Sequence, residues 1–188
     1  MKRTGLVILI AILALIVLGA GWFIRTSNSF IAAEENVNRN WAEVQNQLQR
    51  RYDLVPNLVE TVKGYAAHEE EVFTAIANAR ARLAGAQGPA ETQAAVNQFE
   101  SALSRLLVVV ENYPQLKADK SFNDLMYELS GTENRIAVAR GRYNEAVQAY
   151  NVKIRMFPAS IVASMRGLQP KQMFEAAPAA LEAPRVQF

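Results

Sequence analysis

Apolar and polar positions follow two different patterns along this chain. Leu6 to Ile24 form an apolar run without a charge, bracketed by Lys2-Arg3 on one side and Arg25 on the other. A helix rises 1.5 Å per residue, so about 20 such residues cross a hydrocarbon core of roughly 30 Å. The run therefore predicts a single transmembrane helix over 5–24, with Trp22, Phe23 and Arg25 at the membrane interface. From Phe30 onward the apolar residues thin to a stripe: Ile31, Val37, Trp41, Val44, Leu48, Val55, Leu58 or Val59, Val62 and Ala66 recur every three or four positions. That spacing is an amphipathic helix. Neither Gly nor Pro lies between Arg25 and Tyr52, so the span could run straight into this helix, although Ser27-Asn28-Ser29 offers a break and cap. Pro56 removes a backbone donor and crowds the preceding turn. With Asp53 placed to cap a restart that runs to about Ala84, the expectation is a kinked or broken pair of helices.

Gly85-Ala86-Gln87-Gly88-Pro89 is a turn with a helix-ending glycine and a proline suited to a first helical position. The next helix is expected from about Ala90 to Asn112, with Val96, Phe99, Leu103, Leu106 and Val110 on one stripe. Tyr113-Pro114 stops it, and Gln115 to Lys120 make the connection. Ser121-Phe122-Asn123-Asp124 resembles a capping box. Behind it a stripe from Phe122 to Ile154 predicts the longest regular helix. These stripes leave water only by facing one another, at roughly 25 cal/mol per Å² of apolar area. The fold class is therefore all-α, a single N-terminal transmembrane helix followed by an antiparallel three- or four-helix bundle, the fourth depending on Pro56. The expected segments are a short tail at 1–4, the anchor at 5–24, the bundle at 25–157 and a Pro/Ala-rich tail at 158–188. Within that tail Ile161, Val162, Met165 and Leu168 suit one short helix. Ala176 to Phe188 reads as a mobile segment, whereas Pro158 to Phe174 reads either as a linker or as a strap on the bundle or on the bilayer interface.

Charge changes the picture by exclusion. Of the 20 lysines and arginines, Lys2 and Arg3 precede the span, which leaves 18 against 18 acidic residues. A neutral remainder argues against a phosphate-neutralising surface and hence against nucleic acid as a partner. No cysteine is present, which excludes disulfides and a lipidated thiol. A secretory signal peptide competes with the anchor, but the run is long, and Gly19-Ala20-Gly21 leads into bulky Trp22-Phe23-Ile24 rather than a polar start. Lys2 and Arg3 favour a cytoplasmic N-terminus, with the helical domain outside the cytoplasm, or periplasmic in a bacterium with two membranes. Small residues in the span are never four apart, so a close-packing span dimer is not signalled.

Candidate chemistry is sparse. His68-Glu69 begins like a zinc-protease helix motif, but Val72 stands where the second histidine belongs, and His68 is the sole histidine. Glu69-Glu70-Glu71 reads as a solvated face. Nucleophile-elbow and phosphate-loop patterns are absent, so no catalytic, metal or cofactor site is expected. The residues worth following are Arg50, Arg51, Asp53 and Asn57 around Pro56, and Glu133, Arg140 and Asn144 beside the Ile136 stripe. They form either an inter-helix polar network that fixes register or a surface for a protein partner.

The blocks Glu34-Glu35-Asn36-Val37 with Trp41, Leu48 to Glu60, and Val62 to Glu69 resemble the LemA family of bacterial membrane proteins. Tyr113 to Ala118, Leu129 to Arg140 with Tyr143-Asn144, Phe157-Pro158 and Pro184 to Phe188 are similar to its later blocks, in the same order. The resemblance implies a short N-terminal anchor, an antiparallel helical bundle and no known enzymatic activity. Relatives near membrane proteases and in magnetosome formation point to membrane organisation or quality control. Together these readings predict a single-pass protein of a bacterial cell membrane, held in the lipid bilayer by 5–24, that scaffolds contacts with itself as a homo-oligomer or with another membrane protein. The rival expectation is a sensor or hydrolase with a site between helices around Asp53, Glu133 and Arg140.

Overall fold

In the computed structural model of the chain, residues 2–174 are described, and these are helical with no strand. The helices are α1 (Lys2–Lys63), α2 (Glu70–Gly85), α3 (Gly88–Glu111), α4 (Pro114–Lys117), α5 (Lys120–Arg155) and α6 (Ala159–Met165). Among the described residues the chain divides into two compact units, 2–40 with 145–171 and 41–144 with 172–174, so α1 and α5 each contribute to both. The expected segment 176–188 lies outside the described residues.

The largest departure from expectation is at Pro56, which lies inside α1 without breaking it. A proline in a helix interior costs about 3 kcal/mol. On either side of it Val55, Leu58 and Val62 are buried, and full burial of such side chains is worth roughly 1.5–3 kcal/mol each. Packing on one stripe outweighs the missing hydrogen bond, and Asp53 is an interior helical residue rather than a cap. The break comes later, at Gly64, where the Tyr65 and Ala66 amides both turn back to the Val62 carbonyl at 3.0 and 2.9 Å. The fourth bundle helix therefore exists as α2. α1, not α5, is the longest helix, and the span continues into the bundle without a stop at Ser27-Asn28-Ser29.

In the second unit α2 and α3 form a hairpin, with Gly88 at φ +71°, a conformation that side chains with a Cβ resist. Arg82 on α2 donates to Gln98 on α3 at 2.9 Å. The expected loop after Pro114 contains the single turn α4. Asp119, rather than Ser121, caps α5: its Oδ1 accepts the Phe122 amide at 2.9 Å, three positions on. Tyr65 donates its hydroxyl to the other oxygen of Asp119 at 3.0 Å. The Asp119 carboxyl is held below its usual range, chiefly by the Phe122 amide and then by Tyr65, while that bond raises the Tyr65 phenol. Trp41 lies 5.5 Å from Tyr143, and Arg51 reaches Glu133; rising numbers on α1 meet falling numbers on α5, so the two run antiparallel.

In the first unit Phe30 and Val37 of α1, Val147, Tyr150 and Ile154 of α5, and Val162 and Ala163 of α6 are buried. The helix α6 ends in a Schellman turn: Gly167, at φ +65°, donates to Ser164, and Leu168 donates to Ala163. The chain then extends, and Asn151 clamps the Lys171 peptide from both sides, donating to its carbonyl at 2.9 Å and accepting its amide at 2.8 Å. Lys171 also pairs with Glu34 at 2.9 Å. Of the two readings of 158–174, the strap is the observed one.

Candidate functional site

The polar residues of the second unit gather where two stripes carry charge inward. On α1 the inner positions run Trp41, Val44, Leu48, then Arg51 and Tyr52, then Val55; Arg51 falls three residues after Leu48 and is swept into the core with them. It is 4 % exposed. Its guanidinium donates to Glu100 of α3 at 2.9 Å and lies 3.9 Å from Glu133 of α5, so one side chain bridges three helices. Its Nε is buried without an acceptor. Burying a charge costs several kcal/mol, which pairing recovers only with good geometry, so the bridge by itself adds little net stability. Glu100 keeps 41 % of its side chain exposed, yet desolvation of its carboxyl raises its pKa, with Glu133 adding to the rise and Arg51 and Arg140 opposing it.

Beside this bridge the Tyr52 ring meets Phe99 edge-on at 5.0 Å. The Tyr52 hydroxyl is buried without a partner, and burial, reinforced by Glu100, pushes its phenol far above the ordinary value. Arg140 occupies an inner position of α5, four residues after Ile136. Its Nε also lacks an acceptor, and its guanidinium sits 5.2 Å over the Phe174 ring. Desolvation lowers its pKa, opposed by Tyr52 and Glu100.

Phe174 is held as a latch. Asn144 donates to its carbonyl at 2.9 Å and accepts its amide at 2.8 Å. Tyr143 donates to the Gln172 carbonyl at 2.9 Å. The Phe174 ring stacks on Trp41 at 5.6 Å and meets Tyr143 edge-on at 5.6 Å. An asparagine that both gives and takes a backbone hydrogen bond substitutes for a neighbouring strand, which is how an extended segment is satisfied on a helical surface.

The structure sorts the sequence candidates unevenly. Arg51 and Glu133 meet, Arg140 lies beneath Phe174, and Asn144 holds the Phe174 backbone. Arg50 makes only an exposed pair with Glu128 at 3.5 Å. Asp53 is exposed and accepts from Gln49 one turn earlier, and Asn57, also exposed, offers its carbonyl to Thr61. Asp53 and Asn57 thus stand outside the seam, because they occupy the outward face of the helix that carries Arg51 inward. Glu100 was missed. It adjoins Phe99 at the edge of the α3 stripe, and the visible signal was the inward arginine on α1, which requires a carboxylate from a facing helix. Among the described residues no cluster of three or more His, Cys, Asp or Glu side chains is arranged to hold a metal ion. An open groove of about 510 Å³ between α1 and the α2–α3 hairpin is lined by small residues such as Ala77, Ala81 and Ala84, with Arg80 and Tyr52 at its sides.

The pattern of the LemA family matches residues 40–188, which is most of the chain. The chain belongs to the LemA family. It is 28% identical over 178 residues to magnetosome protein MamQ 2 of Paramagnetospirillum magneticum, covering 81% of this chain and 65% of that protein. Magnetosome protein MamQ of Magnetospirillum gryphiswaldense is 26% identical with the same coverage. Protein LemA of Metamycoplasma hominis is 25% identical over 158 residues, covering 82% of this chain and 71% of that one. The chain thus spans just under two thirds of the length of these MamQ relatives. The family match begins at Asn40, and it takes in Arg51, Glu100, Glu133, Arg140, Asn144 and Phe174, the whole of the seam and its latch.

Proposed function

We propose that this LemA-family chain is a single-pass, membrane-anchored helical scaffold that works by contact, organising a bacterial membrane through association with itself or with another membrane protein. One observation carries the reading. The most apolar stretch of α1 has no residue buried in the protein, yet the same helix continues into a packed core. Exposed Leu, Ile and Val side chains on every face of that stretch favour lipid over water at roughly 0.3–0.6 kcal/mol each when inserted. The run of bulky Trp22-Phe23-Ile24 after Gly19-Ala20-Gly21, where a cleaved leader would give way to a polar start, supports retention of the anchor. Lys2 and Arg3 support a domain outside the cytoplasm. The relatives named magnetosome proteins support a role at an organised membrane.

The test is photo-crosslinking in cells from an exposed bundle position, Tyr127, followed by an alkaline carbonate wash. The full-length chain is expected in the membrane pellet, with adducts larger than one protomer. Recovery of the chain in the wash, or a lone protomer from every exposed position tried, would overturn the proposal.

A further inference from the structure

The corner between α5 and α6 leaves apolar side chains uncovered. Phe157 is 81% and Met165 72% accessible, and Met156 and Ile161 are also exposed. Ile161 and Met165 stand one turn apart and share a face of α6, whereas Val162 and Ala163 fill the first unit's core. Single exposed apolar residues are ordinary on a protein surface, but a cluster of large ones around one corner marks a contact.

Hydrogen bonds fix where this corner lies along α1. Lys153 donates to the Ser29 carbonyl at 2.9 Å, and Arg166 donates to the Ser27 carbonyl at 3.0 Å and to its hydroxyl at 2.8 Å. Ser27 is three residues beyond Ile24, where the apolar run ends, or about 4.5 Å at 1.5 Å per residue. In this unit α5 approaches Ser29 through Lys153, and its next residues lead toward the level of Arg25 and Trp22. Charge adds a second, independent indication. No acidic residue occurs from 146 to 174, whereas Lys153, Arg155, Arg166 and Lys171 do, with Arg25 nearby on α1. Among the described residues Glu34 pairs with Lys171. Apolar side chains interleaved with basic ones suit the headgroup–acyl boundary of a phospholipid leaflet that carries anionic lipid.

We infer that the Met156–Met165 corner is a second membrane contact, seated in the headgroup–acyl boundary of a phospholipid leaflet beside the foot of the anchor. The inference rests on the reading of α1 as membrane-inserted. Its consequence is that residues 145–171 are held against the leaflet at two points, the anchor and the corner, which fixes their orientation instead of leaving them to pivot on one helix.

The absence of cysteine permits a direct test on the full chain. Single variants Ile12→Cys, Asn38→Cys, Phe157→Cys and Met165→Cys, each at an exposed side chain, carry a nitroxide in phosphatidylethanolamine–phosphatidylglycerol liposomes. Collisions with oxygen report lipid, and collisions with a water-soluble nickel chelate report water. The label at 12 is expected deep in the bilayer and the label at 38 in water. Those at 157 and 165 are expected about 5–10 Å inside the boundary. If 157 and 165 meet the chelate as freely as 38 while 12 remains in lipid, the anchor stands and the second contact fails. Shielding of 157 and 165 from both reagents would mean a protein cover, from a second copy or another chain, and also overturns it. A water-exposed label at 12 overturns the contact and the anchor together.

Discussion

The two parts of α1 obey opposite rules within one unbroken helix. From Leu6 to Ile24 apolar side chains point in every direction and all but Phe23 remain exposed; from Phe30 to Val62 the inward stripe of Phe30, Val37, Val44, Leu48, Val55, Leu58 and Val62 is buried, whereas Ile31, expected on it, is exposed. Backbone geometry cannot distinguish them. On the proposed reading the difference lies in what surrounds each part: a medium as apolar as the helix, or other helices on one side and water on the other.

The largest expected break in that comparison is at Leu58, buried at 1% exposure in the bundle part. Leu58→Ala should cost about 2–5 kcal/mol of domain stability in urea unfolding, the range for a truncated core leucine. The same change at Leu13, which the fold leaves exposed, should move that transition by no more than about 0.5 kcal/mol. Equal losses at the two positions would mean that the first part packs against protein. Next comes charge in the anchor part. Leu13→Arg should weaken insertion by about 3 kcal/mol, read as a shift of the chain into the carbonate wash, with the unfolding of the bundle unchanged.

The smallest effect sharpens the contrast, because the bundle part seats a charge that the anchor part excludes. The carboxyl paired with Arg51, that of Glu100, has a raised pKa from desolvation. The folded state therefore binds its proton more tightly than the unfolded chain does. The resulting stability is present below the unfolded value, near pH 4.3, and is lost as pH rises through the folded one. Relative to Glu100→Gln, the parent chain should thus lose stability as pH rises from the unfolded value through the raised folded one. Asp119, held low by the Phe122 amide and Tyr65, should behave oppositely. Its advantage over Asp119→Asn is present above about pH 3.9 and disappears as pH falls through the lowered value. Parallel curves for the two pairs would show that burial does not separate the seam from the surface cap.

Much of this architecture was legible because periodicity is a local property. The α2 and α3 ends at Gly85 and Gly88, the stop before Pro114 and the short helix after Pro158 were each carried by residues within a few positions of the event. The break expected at Pro56 does not occur, for a nonlocal reason: the helix there is held by side chains it packs against, and single-sequence penalties do not include them. The same holds for the site. Arg51, Glu133, Arg140 and Asn144 stood out as polar residues on or beside apolar stripes, but Glu100 and Phe174 become part of the seam only through helices and strap brought from far along the chain.

The sequence by itself determined the apolar N-terminal helix, the helical class and the family, since hydropathy and the recurrence of apolar residues every three or four positions act through each residue's own neighbours. Only the tertiary structure decided that Pro56 is tolerated, that Asn144 and Asn151 clamp the extended strap, and that Glu100 is the partner of Arg51. Those outcomes depend on which surfaces meet, and burial and hydrogen bonding between distant segments outweigh local preferences of about 1–3 kcal/mol.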